Sequence, residues 1–351
     1  MHNRILVDGS FGEGGGQIIR TSVALSAVTG IAVKIINIRA QRKVPGLRAQ
    51  HVAGIMAVAQ LCNAEVRGVS VNSTEIEFVP GPIASDHIKI EIPTAGSIGL
   101  VLQALMVPMT LANHEIQVSI HGGATYGKWS PPIAYIKHIF CPFLSRMGFN
   151  VTIRILREGY YPRGGAKVLV KAEPPKDGIK AIDLYERGQL LEIKGVAHSS
   201  SDLERADVSV READAIQDYL VQRYDVPIDI DAQYSPSYST GSGVVLWAVF
   251  ENSIVGTDSL GERGVRAEDV GIYAAKNLSR CIDAGATVDE FMCDQLIPHM
   301  ALANGQSCFK VTSVTSHGRT NMDMVKRFLN VKFSVFKEEN AWVVLVQPSK
   351  R

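Results

Sequence analysis

At 351 residues the chain is long enough for two or more domains, and its composition, 46% hydrophobic and 20% charged, is typical of a globular protein. The net charge of +1 gives no sign of a nucleic-acid-binding protein, and no run of about 20 apolar residues predicts a membrane span. Five scattered cysteines without a CxxC pair argue against structural zinc and favour a reducing compartment, so we predict a cytoplasmic protein without membrane contact.

The N-terminal stretch Val7–Thr21 predicts the end of a strand, a loop with five glycines and the start of a helix. Glycines in this position let backbone amides approach a phosphate, and the helix N-terminus adds favourable potential. Glu13 would repel a phosphate unless a cation lay between them, so it predicts a metal-bridged nucleotide. The loop lacks the Lys-Ser or Lys-Thr pair of a P-loop, and Gln17 replaces the last glycine of a Rossmann loop. A structural turn is the alternative.

The rest of this region is locally basic. Residues 1–48 contain seven lysines and arginines against two acidic residues, and arginine suits bidentate contact with phosphate. A solvated surface is the alternative.

The elements predicted after the first helix are a strand Ile31–Ile38, a basic loop Arg39–Gln50, a helix His51–Cys62, and strands Ala64–Val69 and Glu75–Val79.

The same element order recurs twice. The second copy is predicted to contain a strand His87–Pro93, a helix Ile98–Leu111, a strand Glu115–Ile120, a helix Pro131–Met147, and strands Asn150–Ile155 and Ala166–Ala172. The third copy, from about Thr287, is predicted to contain a helix ending at Asn304, a strand Ser307–Val314, a helix Asn321–Leu329, and strands Val331–Phe336 and Trp342–Val346. Arg39, His121 and His317 fall at equivalent strand ends, which indicates one shared site or a coincidence.

These patterns predict an α+β fold of three repeated units, each a four-stranded sheet with two helices. The predicted catalytic domain covers residues 1–185 and 285–351, with repeats at about 1–85, 86–185 and 285–351. Residues 186–284 break the pattern and predict a smaller inserted α+β domain. Its predicted elements are strands Leu191–Val196, Ile228–Tyr234 and Gly243–Phe250 and a helix Val208–Tyr224.

Nearly end to end, the chain resembles the RNA 3′-terminal phosphate cyclase family. The motifs that carry the resemblance are Asp8–Arg20, Asn37–Ala40 with Pro45–Leu47, Glu158–Ala166, Leu260–Gly264 and Asp294–Pro298. Glu158 replaces a usual basic residue, and Ala166 replaces the third glycine of a run. After His317, Gly318 and Arg319 stand where the family often has apolar residues.

The resemblance implies that His317 attacks the α-phosphate of ATP, that AMP passes to an RNA 3′-phosphate, and that the 2′-hydroxyl then closes a 2′,3′-cyclic phosphate. A neutral imidazole is compatible with this role because it is a nucleophile near pH 7 and a good leaving group. The implied phosphate contacts are Gln17, Arg20, Arg39, Arg42 and Gln50; the implied ATP contacts are Gln103, Pro131, Phe291, Asp294 and Gln295; and Glu13 is the implied ligand of Mg²⁺ or Mn²⁺. The predicted partners are therefore ATP, a divalent metal and RNA with a 3′-phosphate end, with a homodimer possible.

Structural alternatives stay open for several of these residues. Gln103 could satisfy a buried carbonyl, Phe291 could belong to the core, and Arg39 and Arg42 could be solvated. At the level of function, the alternatives are a catalytically inactive cyclase-like protein that binds RNA in ribosomal RNA processing, and an enolpyruvyl transferase with a similar repeated fold. Adenylation of RNA 5′-phosphate ends is a further activity that the sequence does not exclude.

Overall fold

A computed structural model describes residues 4–349 and begins with a four-stranded mixed sheet. Strand β1 is parallel to β2, which is antiparallel to β4, and β3 pairs antiparallel with β4 at the far edge. The elements of this first unit are β1 (Arg4–Asp8), α1 (Gly16–Thr29), β2 (Ala32–Ile36), α2 (Ala49–Leu61), β3 (Glu65–Arg67) and β4 (Ile76–Val79).

The second unit repeats this arrangement, with strand order β5-β6-β8-β7. Its elements are β5 (His87–Ser97), α3 (Ile98–Met109), β6 (Ile116–Ala124), α4 (residues 133–146, with a π-turn at Ile136–Phe140), β7 (Asn150–Arg157) and β8 (Lys167–Glu173).

The third unit has strand order β9-β14-β16-β15, which is the same pattern again. Its first strand, β9 (Asp183–Leu184), precedes the additional domain in the chain, so that domain interrupts the unit after one strand. The other elements are α7 (Glu290–Ala301), β14 (Ser307–Val311), α8 (Ser316–Phe328), β15 (Val331–Glu338) and β16 (Ala341–Pro348). The predicted α+β fold of repeated units is confirmed.

The additional domain is a fourth mixed sheet of order β11-β10-β12-β13 with two helices packed on one face. Its elements are β10 (Leu190–Ser200), α5 (Val208–Val221), β11 (Ile228–Ser235), β12 (Ser242–Phe250), β13 (Ile254–Leu260) and α6 (Ala267–Asp283). The sequence analysis did not predict β13 or α6. The exact domain boundaries at 185 and 285 stay predictions.

Strand β12 explains how this domain is attached. Val244, Leu246 and Ala248 belong to the domain's own core, whereas Val245 and Trp247 join the core of the three units. A strand buried on both faces reads as a continuous apolar run, as β12 does. On the face of β12 that is turned toward the three units, the Trp247 ring stacks on His138 of α4, with ring centroids 4.6 Å apart. The domain is therefore packed against the second unit.

Helix α8 begins earlier than predicted. The sequence pattern placed its start at Asn321, but the helix starts at Ser316, because the Thr315 side chain accepts a hydrogen bond from the Gly318 amide (3.0 Å) and caps it. Strand β14 correspondingly ends at Val311 rather than Val314. His317 therefore lies in the first turn of a helix rather than in a loop. Within residues 4–349 the structure contains no helix with the length and apolarity of a membrane span.

Candidate active site

Two helix N-termini meet at the glycine loop. Helix α1 follows Gly15, which provides no side-chain cap, so its first backbone amides face outward for a ligand. The loop packs on α8: Gly12 has a φ of +58°, and a Cβ there would lie 2.6 Å from the Thr320 hydroxyl oxygen. The uncapped amides of α1 and the aligned peptide dipoles at both helix starts make this junction favourable for an anion.

Glu13 lies at the centre of the junction and is only 16% exposed. Its Oε2 atom is 3.0 Å from Nε2 of His317, its Oε1 atom is 3.1 Å from Nη2 of Arg42, and the Ser316 hydroxyl donates to Oε2 at 3.5 Å. The side chains of His317 and Arg42 are each 45% exposed, so they form the open side of the group. The structure thus brings together three of the predicted site residues from distant parts of the chain.

The environment of His317 favours the neutral ring. Burial lowers its pKa from the ordinary value, Glu13 acts in the opposite direction, and the cations Arg20 and Arg42 lower the pKa further. The Nδ1 atom is buried without a hydrogen-bond partner among the described residues. Nε2 is therefore the ring nitrogen that an incoming phosphate can reach, and it becomes the nucleophile once the phosphate replaces the contact with Glu13 and the ring proton lies on Nδ1.

Arg20 and Asp294 are partly buried beside this group, and their opposite charges interact although they form no ion pair within 4 Å. Burial lowers the pKa of Arg20 to about 10 although Asp294 and Glu13 favour its charge. Burial likewise raises the pKa of Asp294 to about 7 although Arg20 opposes the shift. The Arg20 guanidinium donates to Oε1 of Gln17 at 2.6 Å, and Asn321 donates to the Asp294 carbonyl at 2.6 Å. The first contact orients the guanidinium, and the second joins α7 to α8 beside it.

A narrow cavity lies among the three equivalent helices α1, α3 and α7. The sixth residue of each helix contributes a polar side chain to its lining: Thr21, Gln103 and Gln295. Arg20 Nε, Gln103 Oε1 and Gln295 Oε1 are buried here without a hydrogen-bond partner in the described part of the chain. Unpaired buried polar atoms are costly, so they indicate a polar ligand or water. With a volume of about 20 Å³, the cavity itself has room for little more than water.

The other predicted residues lie around this centre. Arg39 donates to the carbonyls of Val44 (2.9 Å) and Gly46 (2.8 Å), so its guanidinium supports the basic loop. Gln50 accepts from the Ser97 amide at 3.3 Å and lies outside the narrow cavity. Phe291, at the start of α7, is 55% exposed, and Pro131 precedes α4 with its carbonyl against Gly99. The structure does not bring Gln50, Pro131 or Phe291 into the narrow cavity.

His51 also lies beside the glycine loop, although the sequence analysis assigned it no role in the site. Its Nδ1 atom accepts from the Arg48 amide at 2.9 Å, so the neutral ring carries its proton on Nε2, which faces Gly16 beside Arg20. Burial and the nearby Arg20, Arg39 and Arg48 lower its pKa to about 3. The ring therefore presents a neutral donor next to the glycine loop. Its position three residues after Arg48 at the start of α2 is the only sequence signal for this role.

The structure offers Glu13 as a metal ligand only in combination with a bound substrate. Residues 4–349 contain no group of three or more His, Cys, Asp or Glu side chains placed to hold a metal ion. Mg²⁺ is commonly held by one or two carboxylates together with substrate phosphates and water. Glu13 beside two helix N-termini fits that kind of site.

The buried His299 yields a prediction about stability. It lines the narrow cavity, and burial lowers its pKa in the folded protein to about 3. In the unfolded chain the ring has its ordinary pKa of about 6.5, so below that pH the unfolded chain binds a proton on His299 and the folded protein does not. Its contribution to stability is therefore present above about pH 6.5 and is lost on acidification. When the pH is lowered from about 7.5 to 5, the unfolding free energy of the wild type should fall by about 2 kcal/mol more than that of His299→Leu.

Urea unfolding of both proteins at several pH values measures this difference. Buried carboxyl groups shift stability in the opposite direction, but they do so equally in both proteins and therefore cancel in the comparison. Val221→Ala provides the control, since it shortens an exposed side chain without removing a titratable group and should leave the pH dependence unchanged. Equal slopes for wild type and His299→Leu would show that His299 takes up its proton in the folded state.

Comparison with known proteins gives one consistent result. The family model described as RNA 3′-terminal phosphate cyclase matches residues 11–335. A relative from Thermococcus kodakarensis is 43% identical over 331 residues, which cover 94% of each chain. Relatives from Caldivirga maquilingensis (42% over 351 residues) and Pyrobaculum aerophilum (40% over 345 residues) match across 98% of both chains. All three relatives are named RNA 3′-terminal phosphate cyclase.

Proposed function

This chain belongs to the RNA 3′-terminal phosphate cyclase family, and we propose that it converts an RNA 3′-terminal phosphate into a 2′,3′-cyclic phosphate at the expense of ATP. The observation that carries the proposal is the position of His317 at a helix N-terminus, 3.0 Å from Glu13 and beside Arg20 and Arg42. A neutral histidine next to guanidinium groups and free amides is suited to nucleophilic attack on a phosphate.

The proposed reaction has three steps. His317 Nε2 attacks the α-phosphorus of ATP, so that a P–N bond forms and pyrophosphate leaves. An oxygen of the RNA 3′-phosphate then attacks the same phosphorus, which breaks the P–N bond and gives an RNA(3′)pp(5′)A end. The neighbouring 2′-hydroxyl finally attacks the RNA phosphorus, loses its proton, and expels AMP to leave the cyclic phosphate.

The surrounding residues supply charge and orientation in this scheme. Arg20 and Arg42 neutralise charge on the transferring phosphate, and Glu13 would hold a divalent metal, which would supply further positive charge there. Gln103, Asp294 and Gln295 orient the nucleotide from the narrow cavity, and the exposed ring of Phe291 offers a face for the adenine. The cytoplasmic location and the homodimer remain predictions from the sequence.

The alternative functions differ at His317. A catalytically inactive RNA-binding relative has no use for a histidine nucleophile, and an enolpyruvyl transferase needs no nucleotide. The contact of His317 with Glu13, together with the positive charges of Arg20 and Arg42, favours the cyclase over both. Adenylation of a 5′-phosphate end would use the same first step.

The test is incubation of the protein with ATP, a divalent metal and an RNA oligonucleotide that ends in a 3′-phosphate. We expect the terminal phosphate to become resistant to phosphatase, with one AMP and one pyrophosphate released for each cyclised end. The same RNA with a 3′-hydroxyl is the matched control and should remain unchanged. Recovery of a phosphatase-sensitive 3′-phosphate after prolonged incubation would contradict the proposal.

A further inference from the structure

A second, much larger cavity separates the second unit from the additional domain. Its volume is about 1510 Å³, which exceeds the roughly 300–1,000 Å³ typical of small-molecule pockets. On one side it is lined by the segments Tyr126–Ser130 and Tyr160–Pro162, and on the other by Thr240–Ser242 and Leu260–Ala267. A cleft of this size between two domains has room for a segment of an extended polymer.

The rim of this cavity carries unusually exposed aromatic rings. Trp129 is 95% exposed and Tyr161 is 80% exposed, the two highest values among the exposed large hydrophobic residues of the described chain. Trp129 also has a φ of +59°, an uncommon conformation for a bulky residue. A bridge between Gly127 and Ser130 and a hydrogen bond from the Ser130 hydroxyl to the Gly127 carbonyl hold this turn. Strained backbone conformations cluster at functional sites, and contiguous exposed apolar patches mark interaction surfaces.

The charges of the lining favour an anionic occupant. Lys128, Arg211, Arg263 and Arg266 contribute four cations, whereas Glu212 and Glu262 are the acidic side chains of the lining. Lys128 pairs with Glu262 at 2.7 Å, and Arg211 and Arg266 both pair with Glu268, at 2.9 Å and 3.4 Å. Arg263 is exposed and forms no ion pair within residues 4–349, so its guanidinium is free for a phosphate.

The floor of the cavity contains two unsatisfied polar atoms. Tyr126 Oη and Glu212 Oε2 are buried and have no hydrogen-bond partner among the described residues, although Glu212 Oε1 accepts from the Ser242 hydroxyl at 2.7 Å. Each such atom is costly unless water or a ligand pairs with it. Bases and riboses of a nucleic acid carry donors and acceptors that suit both atoms.

One end of the cavity lies at the start of α2, next to the residues that face the candidate active site. Gln50, Ala95 and Ser97 belong to its lining, and Gln50 is bonded to the Ser97 amide at 3.3 Å. The next residue, His51, faces Gly16 of the glycine loop beside Arg20. A single-stranded nucleic acid bound in the cavity could therefore place its terminal phosphate near the glycine loop.

We propose that this cavity binds the single-stranded RNA segment that leads to the reacting 3′ end, with bases stacked on Trp129 and Tyr161 and a backbone phosphate on Arg263. The inference rests on the proposed function for the identity of the RNA end. Aromatic stacking platforms combined with free cations are the usual surface for single-stranded nucleic acid. This assignment gives the additional domain a function, since it supplies one wall of the RNA channel.

Binding of a fluorescent ten-nucleotide RNA with a 3′-phosphate, measured by anisotropy without ATP, tests the inference directly. We expect Trp129→Ala and Tyr161→Ala each to raise the Kd about 5- to 100-fold, and Trp129→Phe to restore most of the affinity. Arg263→Ala should weaken binding. It should also reduce the slope of log Kd against log salt concentration by the amount expected for the loss of about one phosphate contact. Tyr273→Ala and Lys276→Ala are matched controls, because these exposed residues of α6 lie outside the cavity.

The readouts separate this inference from the proposed function. Covalent labelling of the protein by ATP alone should be the same in wild type, Trp129→Ala and Tyr161→Ala, since no RNA takes part in that step. If Trp129→Ala and Tyr161→Ala bind the RNA as tightly as the Tyr273→Ala control, the channel assignment is overturned. If the wild type takes no label from ATP, the proposed function fails, while the Kd values still decide the position of the RNA.

Discussion

Replacing His317 by alanine is expected to abolish covalent attachment of AMP to the protein, with a loss of at least about a thousand-fold in the adenylation rate. His317 is the nucleophile of the proposed first step, and Nε2 is its available nitrogen, because Nδ1 is buried. The measurement is incubation with ATP labelled at the α-phosphate and a divalent metal, followed by denaturing gel electrophoresis. The label on the wild type should be released by acid and retained in alkali, as expected for a phosphorus–nitrogen bond.

His87 provides a closely matched control for this experiment. It is also an exposed histidine beside a carboxylate, with Nδ1 3.1 Å from Asp86, but it lies on β5 and takes no part in the candidate site. His87→Ala should therefore be labelled as efficiently as the wild type. Undiminished labelling of His317→Ala would show that another side chain is the nucleophile. Absence of label from the wild type would favour the RNA-binding alternative.

Replacing Arg20 by alanine is expected to lower the adenylation rate about 10²- to 10³-fold, the range found when a preorganised donor to a developing charge is removed. The guanidinium is held by Gln17 and lies beside Asp294, so it is already oriented before the phosphate arrives. Arg20→Lys keeps the charge but not the planar pair of donors, so only part of the activity should return. Single-turnover labelling measures the rate of this step.

Loss of activity in Arg20→Ala must be distinguished from a loss of folding, because the substitution leaves the partly buried Asp294 without its nearby cation. The double variant Arg20→Ala/Asp294→Asn removes that unpaired carboxylate, so its thermal stability should recover toward the wild type while adenylation stays low. Arg4→Ala, which breaks an exposed ion pair with Glu77, is the control for removal of an arginine. Wild-type labelling rates in Arg20→Ala would exclude Arg20 from phosphate binding.

The repeated fold could be read from the sequence because its signals are local. Alternating apolar residues, glycine-terminated helices and the recurring order of elements fixed the helices and strands of the first two units to within a few residues. Two further elements, β13 and α6, were missed, although Val270, Ala274, Leu278 and Ile282 of α6 follow a helical period. The early start of α8 was missed because its cap, Thr315, precedes a polar first turn rather than an apolar one.

By itself, the sequence determined the glycine loop, the basic stretch after it and the motif around His317, since each is a property of adjacent residues. Only the tertiary structure decided that Glu13 and His317, 304 positions apart, lie within 3.0 Å. It also decided that Asp183–Leu184 completes the third sheet, that His51 faces the glycine loop, and that a basic, aromatic-rimmed cavity lies beside the additional domain. These features depend on how whole units dock through helices α1, α3 and α7, and no local pattern of residues encodes that packing.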